Sequence, residues 1–227
     1  MKHWLRAALV GVLTLVPLPA VAQTPAKPPQ QPSGPSVNLW YIGANTGVAV
    51  VEKTGGIVGG EGGFRVWKNL DLVGEVVWMQ NVVTRAQLDK ATTIANYLST
   101  SQGQAATSNV EVPATYWGFG GRWVFEQVNL KQFRPYVIAT FGSGYTNIKS
   151  TFTLGGADIT GSLPQYGVTL GSDLAGKSNH FATDTGGGAV WATGAWYTDF
   201  GVRLVSIGGQ DQRTNVFRLV VGGGYRF

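Results

Sequence analysis

Beyond residue 22, few side chains could do chemistry. A single histidine, His180, lies in GKSNHFATD, with Ser178, Asp173 and Asp184 close by in sequence. A serine nucleophile needs a base within hydrogen-bond reach, and the base needs a group that orients it. All four residues fall in a long polar stretch where nothing fixes that geometry, so the chain reads as a non-enzyme. GGIVGGEGGF (55–64) carries glycines at nucleotide-loop spacings, but no helix follows it, and the glycines suit close backbone packing instead. One histidine and no cysteine make no metal site, and no cofactor is expected. The remaining chemistry is charge pairing. Glu61, Arg65, Glu75, Arg122, Arg134, Asp199, Arg203, Arg218 and Arg226 are few and scattered, yet each alternates with apolar neighbours.

That alternation has period two, the spacing of a β-strand. Eight strands are expected, at 39–51, 56–67, 71–79, 112–125, 133–147, 186–196, 199–207 and 215–227. Trp40, Ile42, Val48 and Val50 share a face of the first; Val58, Phe64 and Val66 oppose Glu61, Arg65 and Trp67 in the second. Leu72, Val76 and Trp78 oppose Asp71 and Glu75, and Trp117, Phe119, Trp123 and Phe125 oppose Arg122. Phe200, Val202 and Leu204 oppose Asp199 and Arg203. In the last strand, NVFRLVVGGGYRF, Phe217, Leu219, Val221, Tyr225 and Phe227 oppose Arg218 and Arg226. No helical stripe is strong, although Thr84–Tyr97 suits a short loop helix.

Connections alternate in length. Long polar stretches at 80–111 and 149–185 follow odd-numbered strands only, so both project from one end. Residues 1–22 start with Lys2 and Arg6, turn apolar, and close on Ala20-Val21-Ala22, the pattern of a cleavable secretory signal peptide. Residues 23–37 hold Pro25, Pro28, Pro29, Pro32 and Pro35 and read as a disordered periplasmic tail before a barrel at 38–227. Removing Lys2 and Arg6 from 17 basic residues leaves 15 against 12 acids, a net charge of +3, too mild for a nucleic-acid partner. Charged residues make up 13% of the chain against about 25% in soluble domains, and glycine reaches 33 residues.

A face of large aromatics and aliphatics opposite a face of glycine and sparse charge fits a barrel turned towards lipid, with its charges inside. Trp40, Trp123 and Trp196 fall near the short-turn end, and Trp78, Trp117 and Tyr145 near the long-loop end, as two interfacial girdles. Six arginines against three acids leave the expected lumen network positive. Charges that fill a narrow lumen are the preferred reading; a small-solute, weakly anion-preferring pore and a soluble periplasmic lipocalin-like binding barrel are the alternatives.

The signal peptide, the eight strands, FRPYVIATFGSGY and the terminal GGGYRF resemble small outer-membrane β-barrels of the OmpA/OmpX-like superfamily. The resemblance implies an all-β, eight-stranded antiparallel up-and-down transmembrane barrel in the cell outer membrane. It implies short periplasmic turns and two long extracellular loops that meet surface ligands. It also implies that periplasmic chaperones and the barrel-assembly machinery handle the chain, reading Phe217, Leu219, Val221, Tyr225 and Phe227 as the assembly signal. The peptidoglycan-binding domain that follows the barrel in OmpA itself has no counterpart in this sequence.

Overall fold

A computed structural model describes residues 40–126, 128, 132–208 and 213–227; the expected signal peptide and Pro-rich tail lie outside them. The elements in order are β1 (Trp40–Val50), β2 (Thr54–Trp67), β3 (Leu70–Met79), α1 (Arg85–Gln102), β4 (Ala106–Glu111), β5 (Ala114–Val124) and β6 (Phe133–Leu154). They continue with β7 (Ala157–Asp158), a 3-10 turn (Thr160–Tyr166), β8 (Gly176–Thr193), β9 (Trp196–Ile207) and β10 (Thr214–Arg226).

Eight of these strands form a closed ring, β6-β5-β3-β2-β1-β10-β9-β8, which returns to β6 through the β6–β8 pairing. Every pairing in the ring is antiparallel. β1 meets β10 from Tyr41↔Arg226 to Val50↔Phe217, and the Phe227 and Trp40 backbones exchange hydrogen bonds of 3.0 and 3.3 Å. The last strand therefore satisfies the first, and no edge of the ring is left open.

Three local features depart from the sequence expectation. The β2–β3 register shifts between Arg65 and Trp67, a bulge that turns Trp67 outward. It was expected beside Arg65 on the charged face and is instead 74% exposed. Secondly, 149–185 is not one long loop. β6 runs 22 residues to Leu154 and β8 starts at Gly176, both beyond the 9–11 residues that cross a bilayer. Phe152 and Leu154 alternate inward there and are buried against Leu163 and Leu174 of the connecting segment, which rewards continued pairing. Thirdly, the helix expected at Thr84–Tyr97 extends to Gln102. Thr84 and Gln87 form a capping box at its start, Gly103 ends it at φ 64°, and Ala91, Ala95 and Leu98 make its buried stripe.

The interior has three layers. At the long-loop end Val77, Met79, Val205 and Ile207 join Leu98, Phe152 and Leu163 in one apolar core. Charges fill the middle. Towards the short-turn end Tyr41, Tyr136 and Tyr197 pack with Val73, Val124, Ile138 and Val190.

Inward glycines make room for these rings. A Cβ on Gly43 would overlap the Tyr197 hydroxyl and lie 3.0 Å from the Gly223 carbonyl. Gly43→Val is therefore expected to cost about 1–3 kcal/mol, the typical penalty for overpacking. Urea titration should return part of that loss when Tyr197→Ala is added; a neutral Gly43→Val would refute the packing argument.

Candidate functional site: a bridged lumen within an apolar wall

The centre of the lumen begins with two contacts that are unfavourable in isolation. Glu61 of β2 lies directly opposite Glu75 of β3, and Arg203 of β9 directly opposite Arg218 of β10. Like charges at directly opposed sheet positions repel. Ring closure sets the two pairs facing each other across the lumen, and each then neutralises the other. Arg203 donates to Glu61 at 3.1 Å and to Glu75 at 3.0 Å, and lies 3.7 Å from both Asp184 and Asp199. Arg218 donates to Asp184 and lies 3.7 Å from Glu75.

A second set sits nearer the short-turn end. Arg122 donates to Glu61 at 3.1 Å and to Asp71 at 3.3 Å, its register partner on β3. Its guanidinium lies 4.5 Å from the Tyr41 ring centre and 5.3 Å from that of Tyr136, a cation–π clamp. Arg65 bridges Asp71 at 2.6 Å and Glu126 at 3.3 Å. Hydroxyls take up remaining carboxylate valences. Thr140 donates to Glu75 at 2.6 Å and shares a 2.7 Å bond with Tyr116, and Tyr136 donates to Asp199 at 2.8 Å. Such satisfaction matters because a buried charge without partners costs several kcal/mol.

Of the nine charges singled out from sequence, Glu61, Glu75, Arg122, Asp199, Arg203 and Arg218 meet in this buried cluster, with Arg65 at its margin. Two do not join it. Arg134 is exposed because it is only the second residue of β6, and Arg226 is the last residue of β10, its guanidinium 5.2 Å from the Tyr197 ring. Sequence reasoning also missed two buried acids. Asp71 was on the correct face of its strand but was left out of the network; Asp184 was assigned to a loop that is in fact the middle of β8. With them and the half-buried Glu126, which bridges Arg65, the ion pairs given above join four arginines to six carboxylates, so this cluster carries no positive excess. Tyr41, Tyr116, Tyr136 and Tyr197 were missed as well. The available signal was parity, since each stands one position away from outward-facing residues.

The serine and the acids named at the outset are drawn to separate partners. Ser178 shares a 2.7 Å bond with Thr146, Asp184 is held by Arg218, and Asp173 accepts from Lys90 at 2.5 Å. The hydrogen bond from Lys90 holds the Asp173 carboxyl below its ordinary range. A depressed carboxylate pKa stabilises above the unfolded value and is lost as pH falls through the folded one. Both partners are substantially exposed, so the pair contributes little.

The outer surface is the opposite of the lumen. Ile42, Val58, Leu72, Val76, Phe119, Phe141, Val202, Leu204, Leu219 and Val221 all project outward and are exposed. This band is far larger than the few hundred Å² of apolar patch tolerated on soluble monomers. At the short-turn end Trp40 packs on Phe64, Phe133 stacks on Trp191, and Trp196 meets Tyr225, which touches Phe227. Trp123 lies exposed near the same end, and Trp78 and Trp117 are exposed towards the other.

No protein-family model and no curated protein sequence matches the chain. Among solved structures it is similar to Neisserial surface protein A, with 14% identity over 83% of this chain and 97% of that one, at a TM-score of 0.47. It is also similar to the N-terminal β-barrel domain of Pseudomonas aeruginosa OprF (14% identity, 82% and 97%, TM-score 0.45). A third is Ail, the attachment invasion locus protein of Yersinia pestis (10% identity, 83% and 97%, TM-score 0.44). What defines the chain is its own strand pairing, with charge turned inward and apolar side chains outward: it is a small eight-stranded transmembrane β-barrel.

Proposed function

We propose that the protein is an integral outer-membrane β-barrel with a structural and surface-interaction role and a lumen plugged by its own side chains. The observation that carries this reading is the exposed apolar band around all eight strands, set against a lumen cross-braced by buried ion pairs. A soluble lipocalin-like barrel needs the reverse orientation, with apolar residues inside and charge in water. Four arginines bridged to six carboxylates beneath an apolar layer also favour a plug over an anion-preferring pore. In this reading residues 1–22 direct export and are removed, and 23–37 form a periplasmic tail. The short turns face the periplasm, and α1 with the extended β6–β8 hairpin faces outward.

The purified protein is expected to migrate heat-modifiably, to leave membranes only with detergent, and to show no steady conductance in planar bilayers. Recovery in the soluble periplasmic fraction would overturn the membrane reading, and a stable conductance would overturn the plug. The outward row Phe217, Leu219, Val221, Tyr225 and Phe227 is the proposed recognition strand for the assembly machinery. Phe227→Ala should lower outer-membrane accumulation several-fold while the purified, refolded barrel keeps its urea midpoint. Equal accumulation of the variant and the parent would remove that assignment.

A further inference from the structure

The two arginines that stay out of the central cluster both lie at the short-turn mouth of the lumen. Arg134 sits directly opposite Val190, which is buried inside the barrel, while its neighbour Phe133 stacks on Trp191 outside. Arg134 is therefore on the luminal face. Arg226 lies directly opposite the buried Tyr41 and is half-buried on the same face. Ring closure brings the two within electrostatic reach: Arg134 is the strongest like-charge neighbour of Arg226, ahead of Arg122 and Arg65. The acids near the mouth are largely claimed. Arg65 holds Asp71 and Glu126, Arg122 holds Asp71 and Glu61, and Asp199 is taken by Tyr136 and Arg203. Arg134 makes no ion pair among the described residues. Among side chains, four arginines at this end face Asp71 and Glu126 and share Glu61 with Arg203, which leaves a positive surplus.

We propose that this mouth binds a phosphoryl group, as inorganic phosphate or a phosphate monoester, between Arg134 and Arg226. A guanidinium offers a rigid fork of N–H donors that matches phosphate oxygens two at a time. Arg134 supplies one fork. The Arg226 guanidinium lies over the Tyr197 ring at 5.2 Å, which fixes the direction of a second. A phosphate monoester carries about −1.5 to −2 charge at pH 7 and so answers a surplus that a single carboxylate would neutralise only in part. Both arginines face the lumen, on the far side of the wall from any lipid headgroup, so the ligand is a dissolved solute. Tyr41, Tyr136 and Tyr197 fill the lumen next to the mouth, with Arg122 clamped on Tyr41 at 4.5 Å. The phosphoryl group therefore stops at the mouth, and the rest of an ester projects away from it. The inference goes beyond the proposed function. It rests on the closed ring alone, not on which compartment the mouth faces.

The test uses the full chain refolded in detergent micelles, titrated calorimetrically with inorganic phosphate and with glycerol 3-phosphate. Acetate and chloride at matched ionic strength are the controls. Saturable binding of at least one phosphate probe is expected, at least tenfold tighter than either control. Binding of both probes assigns the phosphoryl group itself as what is recognised; glycerol 3-phosphate alone assigns a monoester, and inorganic phosphate alone the free ion. Arg134→Ala should weaken binding at least tenfold, with heat-modifiable migration unchanged to show an intact barrel. Lys68→Ala removes the same charge from the exposed turn between β2 and β3 and should leave binding unchanged. A further readout needs no variant: phosphate, but not acetate, should raise the urea midpoint, because a ligand of the folded state stabilises that state. Absence of saturable binding by both probes, equal binding of a control, an unmoved midpoint, undiminished binding by Arg134→Ala or an equal loss in Lys68→Ala would each overturn the proposal. Loss of heat-modifiability in the unsubstituted protein would instead overturn the barrel, and the mouth with it, so the two failures are separable.

Discussion

Arg203→Met is expected to lower the unfolding free energy of the barrel by about 3–5 kcal/mol, the cost of removing one partner from a buried charge cluster. Arg203 is 2% exposed and is the shared neighbour of Glu61, Glu75, Asp184 and Asp199. Without it, Glu61 and Glu75 remain opposed in register with less positive charge between them. Arg122 still holds Glu61, and Arg218 still approaches Glu75, so the barrel should fold but unfold at lower urea. Adding Glu61→Gln and Glu75→Gln should recover much of the loss, because removing both signs of a buried network is often close to neutral. Tryptophan fluorescence against urea in micelles measures both. A change below about 1 kcal/mol for Arg203→Met, the scale of an exposed pair, would show that water and not protein solvates these charges.

Val221→Arg gives the second large effect and separates lipid from water as the outer solvent. Val221 projects outward midway between Phe217 and Tyr225 on β10, and it is 49% exposed. At the bilayer midplane an outward arginine costs about 2–4 kcal/mol, falling to about 0–1 near the interfaces. Val50→Arg, at the long-loop end of β1, should therefore cost much less than Val221→Arg. On a soluble barrel both positions would be ordinary exposed sites, with effects within about 0.5 kcal/mol. Unfolding in lipid vesicles gives the comparison directly, and equal small costs at both sites would exclude the transmembrane reading.

Sequence alone determined which residues share a face, because side chains alternate strictly along a strand and charge avoids the apolar side. Trp40, Trp78, Trp117, Trp123 and Trp196 point outward and Glu61, Glu75, Arg122, Arg203 and Arg218 inward on that ground alone. The eight-strand ring was legible too, from the count of alternating segments and the lengths of their connections. Parity failed where the backbone breaks its own period, as at the Arg65/Trp67 bulge, which exposes Trp67. It was also silent where small polar residues weaken the pattern, as in 176–185. That segment reads as loop but pairs with β6, and so Asp184 was missed. Contact across the lumen could not be read at all. Arg203 and Glu61 are 142 residues apart, and each lies beside a like charge in its own hairpin. Their local sequence predicts repulsion. Only closure of β10 on β1 and of β8 on β6 brings opposite charges within 3.1 Å, because a closed ring makes every inward face look onto the others.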